Sequence, residues 1–290
     1  MKLLLIRSAS CSGHSYMVQC LHYMTGIEPT VVHIDSCHTI DYGEHDYLIY
    51  NAFSNESYAP KFDTKIIYPA DERFHAFKGK KILFDTHDEG NRDGFERMKG
   101  YGYPRLKINP GYDFMTKFNV VAAIPFTAYH RFFLKSPVPK TIPLLYCVNC
   151  KGITFPPNIR PTVFERLKPF NPYTTRTSMN YYADTLKTAK ISVTVPGYGT
   201  GCKSHVEALA ASTLLFSYDS ISMVKTLPFA DLVDGKHYIS FNLDNLEEKL
   251  SLCLSDDKLV EEVSREGHLC FRLGYDPRRT GEEIARWFSS

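Results

Sequence analysis

Short apolar runs alternating with helical spacings organise the first half of the chain. Residues 2–6 form a run of the buried-strand type, followed by a polar turn over 8–13 and by helical spacing over 16–24 that ends at Gly26. Further strand-like runs lie at 30–34, 47–50, 80–84 and 120–124. Strand, turn, helix, strand in that order predicts a parallel sheet flanked by helices. The second half resumes the pattern, with helical spacing at 181–188, a strand at 191–195, a glycine loop at 197–201, a helix at 205–211 and a strand at 213–216. Asp244 then precedes a helix carrying Leu246, Leu250 and Leu254 on one face, and helices are expected at 258–271 and 281–287.

Between these halves the prolines cluster. Nine of the 17 fall from Pro125 to Pro172, a density that excludes long regular elements and marks a crossing between domains, placed near 135–150. The expected architecture is α/β: two Rossmann-like domains facing a cleft, over 1–140 and 141–275, with 276–290 a C-terminal helix packing back on the first. Ligands of such sheets sit beyond the C-terminal strand ends.

Composition narrows the functional classes. A chain of 290 residues is long enough for two domains, and 43% hydrophobic with 23% charged residues describes an ordinary globular protein. The net charge of +2, with no long basic run, gives no electrostatic footprint for nucleic acid. The opening MKLLLIRSAS has too short an apolar run for a secretory signal, and nowhere are there 18 consecutive apolar residues. Eight cysteines are too sparse for a disulfide scaffold, and Cys147-Val-Asn-Cys150 lacks the second pair that a zinc site needs. These features point to a reduced, cytoplasmic protein, and the compact size to a bacterium or a virus-infected cell.

The stretch VTVPGYGTGCKSHVEALA, residues 193–210, is one glycine short of a phosphate-binding P-loop: Gly197 opens the count and Lys203-Ser204 closes it, but Cys202 stands at the second glycine. A strand, glycine loop and helix still make an anion site, because free N–H groups and the helix dipole meet there.

The longer stretch YYADTLKTAKISVTVPGYGTGCKSHVEALAASTLLFSYDS resembles the donor-binding half of GT-B glycosyltransferases, exostosin-like and CAP10-like enzymes above all. Tyr182, Leu186, Pro196, Gly197, Gly199, Glu207, Ala208 and Leu209 fall in step with that pattern, and the resemblance covers about 180–275. It implies a nucleotide-diphosphate sugar, UDP- or GDP-linked, bound by Gly197, Tyr198, Gly199, Thr200, Gly201, Lys203, Ser204 and Glu207. Loop N–H groups would hold the diphosphate, and the Glu207 carboxylate would accept from ribose hydroxyls. The chain departs from the pattern at Ser204, where the family has arginine, and at Ser212, often glycine. Lys203 beside the gap offers a point charge instead of a fork. Lys203 and His205 also read as solvent-facing residues at a helix start.

On the acceptor side, FDTHDEG follows the strand at 80–84 and places Asp85, His87 and Asp88 where a cleft is expected. A sugar transfer needs a general base for the acceptor hydroxyl, with Asp85 or Asp88 preferred and His87 as alternate; a polar turn is the competing reading. Ser12, Gly13 and His14 end the first strand's loop and would face the same cleft. No Asp-x-Asp triplet occurs, Asp41-Tyr42-Gly43 being nearest, so no cofactor or metal is expected. The expected acceptor is a glycan, with hydroxymethylated DNA bases as the alternative. A P-loop NTPase and a non-catalytic nucleotide-sugar-binding protein are the other readings.

Overall fold

The computed structural model describes residues 1–7, 14–33, 36, 39–51, 70–86, 102–148, 158–175, 178–197 and 199–290. It divides into two compact units, Met1–Ile124 with Pro277–Ser290, and Pro125–Asp276.

In the first unit the described elements are β1 (Lys2–Arg7), α1 (His14–Leu21), β2 (Glu28–His33), β3 (Tyr47–Tyr50), α2 (Ala70–Ala76), β4 (Lys80–Asp85), β5 (Arg105–Ile108), α3 (Tyr112–Lys117) and β6 (Val120–Ile124). The strands form one sheet in the order β2-β1-β3-β4-β5-β6, and every pairing is parallel. This is a doubly wound order with its reversal between β1 and β3. Leu4, Ile6, Leu48, Tyr50 and Leu83 alternate onto one face and pack with Phe74 and Phe77. β2 carries Pro29 and is largely exposed, as an edge strand tolerates.

The last helix, α9 (Pro277–Ser289), belongs to this first unit. Its Thr280 exchanges a buried 2.8 Å hydrogen bond with the Tyr16 hydroxyl, and the Phe288 ring stacks on Tyr47 at 4.4 Å. Gly281 makes the approach possible, since a Cβ there would lie 2.4 Å from the Cys20 carbonyl oxygen.

The second unit runs through β7 (Ile142–Leu145), α4 (Arg160–Leu167), α5 (Met179–Thr188), β8 (Ala189–Thr194), α6 (Lys203–Ala210), β9 (Leu214–Tyr218), β10 (Ile239–Phe241), α7 (Leu246–Ser255) and α8 (Asp257–Gly274). Its sheet is again parallel, in the order β10-β9-β8-β7. Ile191, Val193 and Val195 point into a core with Leu144, Phe216 and Leu250, where Phe216 and Phe241 stack at 4.7 Å.

Two elements depart from the hydrophobic pattern. β5 was not expected, because Arg105 and Lys107 give it a surface-like alternation, yet both are buried. Helix α4 lies inside the proline-rich stretch. Pro161 occupies its first turn, where a missing N–H costs nothing and the fixed φ suits the helix.

Candidate nucleotide site

The loop between β8 and α6 leaves several backbone donors unpaired. Among the described residues, the backbone N–H groups of Gly199, Thr200 and Gly201 have no protein acceptor, nor do those of Lys203 and Ser204 in the first turn of α6. A helix start leaves such donors unsatisfied by geometry, and they favour an anion. The hydroxyl of Thr194, at the end of β8, is fully buried and has no partner among the described residues. Lys203 and Ser204 are half-buried, and their side chains make no hydrogen bond or ion pair with the described residues.

Cys202 sits where a P-loop has glycine, and its side chain holds the loop shut at one end. The thiol donates to the Val195 carbonyl at 3.6 Å, tying the helix start back to the strand end. Its backbone N–H donates to Nδ1 of His205 at 2.9 Å. That contact makes Nδ1 the acceptor, so Nε2–H faces the Ser217 hydroxyl at 3.0 Å, which in turn donates to the Tyr218 carbonyl at 3.0 Å. His205 is therefore no solvent-facing residue: it is buried and stands in for the glutamate of a capping box.

Burial pushes the His205 pKa down to about 4. Because the unfolded chain would bind that proton near pH 6.5, stability is full above that pH and falls as pH drops toward 4. A loss of about 2 kcal/mol between pH 7 and pH 5 is expected from this group. Denaturant titrations at the two pH values should show it, and His205→Gln should flatten the difference.

Sequence reading missed Arg160. Its Nε donates to the Pro196 carbonyl at 2.9 Å, and Tyr146 anchors the same residue by donating to its carbonyl at 2.9 Å. A Cβ on Gly197 would lie 2.5 Å from Arg160 Nη2, so the guanidinium is packed directly on the glycine. A fork-shaped cation thus reaches the loop from α4, although the family arginine is absent at Ser204. Glu207 lies one turn into α6, with 3% of its surface exposed. Tyr198 lies outside the described residues.

At the strand ends of the first unit, Asp85 closes β4 as expected, but as a buried ion pair. Lys107 Nζ lies 3.2 Å from its Oδ1, the two residues are register partners on β4 and β5, and both are fully buried. A base must reach the proton it takes, and this carboxylate is engaged and shielded. His87, Asp88, Ser12 and Gly13 lie outside the described residues, while His14 opens α1. A cavity of about 390 Å³ lined by Asp41, Arg73 and Lys78 lies beside the starts of β3 and β4, away from the strand ends that hold ligands.

Among the described residues no cluster of His, Cys, Asp or Glu could hold a metal ion, and no helix is long and apolar enough to cross a membrane. The described cysteines, Cys147 included, are free thiols, and Cys150 lies outside the described residues.

The fold that these units define is that of the GT-B type, α/β with two Rossmann-like domains. Sucrose-phosphate synthase from Thermosynechococcus elongatus is similar with a TM-score of 0.65 and 10% identity, over 100% of this chain and 98% of that one. HepE from Anabaena, solved in complex with UDP, is similar with a TM-score of 0.63 and 10% identity over the whole of both chains. A glycosyltransferase from Rickettsia africae follows at 0.62 and 10%, over 100% of this chain and 98% of its own. At such identities the likeness is one of fold. No protein-family model matches the sequence, and no curated protein matches it.

Proposed function

We propose that this protein is a glycosyltransferase that moves a hexose or pentose from a UDP- or GDP-sugar to a hydroxyl acceptor, without a metal ion. The observation that carries the reading is the loop after β8: donor N–H groups at Gly199–Gly201 and the start of α6, with the Arg160 guanidinium packed on Gly197. A departing nucleoside diphosphate develops negative charge, and fixed donors plus a cation stabilise it where a metal would otherwise serve. Further support comes from the fold shared with HepE, a protein solved with UDP and with UDP-glucose. Tyr182, Pro196, Gly197 and Glu207 keep the spacing of exostosin-like and CAP10-like donor domains, and in this reading Glu207 accepts from the ribose hydroxyls. Lys203, Ser204, Thr200 and Tyr198 complete the donor contacts.

The acceptor hydroxyl's proton is assigned to the segment after β4. Asp88→Asn or a His87 replacement should abolish transfer and leave UDP binding intact if either is the base. Asp85→Asn is expected to lower stability instead, because it leaves Lys107 buried without its counter-charge.

The test is a hydrolysis and thermal-shift panel of UDP- and GDP-sugars, free UDP and GDP, and ATP with magnesium, run with and without EDTA. Stabilisation by one sugar nucleotide, with slow hydrolysis unaffected by EDTA, is expected. Stabilisation by ATP with magnesium alone would remove the transferase reading. Tight sugar-nucleotide binding with no turnover would make the protein a binding module.

A further inference from the structure

The cavity beside the starts of β3 and β4 is walled by two connections. One is the short turn Tyr42–Glu44, capped by Asp41, that leads into β3; the other is the end of α2 with Lys78 and Gly79, which lead into β4. A Cβ on Gly79 would lie 2.1 Å from the Asp46 carbonyl oxygen, so a glycine there lets the two connections close on each other. The cavity's volume of about 390 Å³ falls within the range of small-molecule sites, roughly 300–1,000 Å³.

Charge sets what such a cavity can hold. The Arg73 guanidinium carbon lies 4.4 Å from the centroid of the Tyr42 ring, and its Nη2 donates to the Ile40 carbonyl at 2.7 Å. The fork is thereby held in one orientation before any ligand arrives, which lowers the cost of ordering it on binding. Lys78 adds a second cation at the rim, on an exposed residue. The end of α2 would by itself oppose an anion, because its last carbonyls carry the negative end of the helix dipole. Lys81 removes that opposition: its ammonium donates to the carbonyls of Phe74, His75 and Phe77 at 2.7, 3.0 and 3.0 Å. Burial first, and the charge of Lys78 second, push the Lys81 pKa down, so positive charge is in excess around this helix end.

The lining also carries a carboxylate. Asp41 is held by its own turn, with Oδ1 accepting from the Gly43 N–H at 2.8 Å, and the backbone carbonyl of Asp41 accepts from His45 Nδ1 at 3.3 Å. Carboxylate oxygens accept more than one hydrogen bond each, so Asp41 offers acceptors to hydroxyl groups as well. A phosphate monoester carries a charge of about −1.5 to −2 near neutral pH, the match of two cations, and hydroxyls beside it match the carboxylate. We infer that this cavity is a binding site for a small, polyhydroxylated phosphate monoester of the sugar-phosphate class, with Arg73 and Lys78 on the phosphate and Asp41 on the hydroxyls. The site belongs to the first unit and the nucleotide loop to the second, and the inference does not depend on the transferase reading.

The experiment uses the full chain and reads binding by isothermal titration, with the melting temperature as the check on folding. The probes are a hexose 6-phosphate, inorganic phosphate, the unphosphorylated hexose, and neutral vesicles with and without a phosphatidylinositol monophosphate. The wild type should bind the hexose phosphate more tightly than inorganic phosphate, show no binding of the free hexose, and lose affinity as salt rises. Ala76 and Lys78 both line the cavity and are exposed, so Ala76→Glu and Lys78→Gln should keep the wild-type melting temperature. Each should lower affinity for the hexose phosphate about tenfold, through a like charge at the rim in one and a lost charge-assisted hydrogen bond in the other. Arg160→Ala, in the second unit, should bind the hexose phosphate as the wild type does. Binding unchanged in both cavity variants, or lost in Arg160→Ala alone, would overturn the inference. So would a wild type that binds none of the phosphate probes. Binding confined to the phosphoinositide vesicles and lost in both cavity variants would keep the site and make a lipid headgroup the source of its ligand.

Discussion

Arg160→Ala is expected to weaken binding of the donor nucleotide roughly 30- to 150-fold, the factor for losing about 2–3 kcal/mol of charge-assisted hydrogen bonding. The expectation follows from where the guanidinium is held. Its Nε is fixed on the Pro196 carbonyl, its Nη2 lies against Gly197, and the donor N–H groups of the loop follow directly. A lysine at this position keeps the charge but not the fork, so Arg160→Lys should recover only part of the loss. Gly197→Ala is the independent check. Its new Cβ would displace the far end of a flexible side chain and not backbone, so the fold should survive while the guanidinium moves. Isothermal titration with UDP and GDP reads both variants, and unchanged affinity in both would remove Arg160 from the site and leave Lys203 as the remaining cation.

Lys107→Met is expected to destabilise the first unit by about 3–5 kcal/mol, because it strands the Asp85 carboxylate in a fully buried position. The pair lies side by side on neighbouring parallel strands at 3.2 Å, and Phe114 presents its ring 5.4 Å from the same ammonium. Removing both charges together is a different change: Asp85→Asn with Lys107→Met should recover much of the stability, since a buried pair contributes little beyond its own desolvation. Denaturant midpoints for the two single variants and the double give the coupling energy directly. Equal loss in the single and double variants would show that the ion pair is not what holds the ends of β4 and β5.

The strand, loop and helix that frame the candidate site were legible from spacing, while the choice of residues within them came from the resemblance to GT-B donor halves. Pro196, Gly197, Gly199 and Glu207 fall on a strand end, a loop and a helix because alternation stops after Val195 and helical spacing begins after Cys202. Both signals are local. Arg160 was not legible, since it acts 36 residues away from Pro196 in sequence and on a helix that the proline density argued against. His205 reads as a polar residue at a helix start, and only the Ser217 hydroxyl on the adjacent strand explains its burial.

The sequence by itself determined the class of fold, since apolar runs and helical spacings are set by each segment's own need to bury one face. It also determined the loop's character, because a strand, glycines and a helix expose backbone donors whatever lies around them. Only the tertiary structure decided which charges are internal. Arg105 and Lys107 look like surface alternation until flanking strands cover β5. It likewise decided through which contact α9, expected to pack back on the first domain, is held there: a hydrogen bond between residues 264 positions apart. Burial and long-range pairing depend on which segments become neighbours. That information is carried by the packing of the whole chain and not by any window of it.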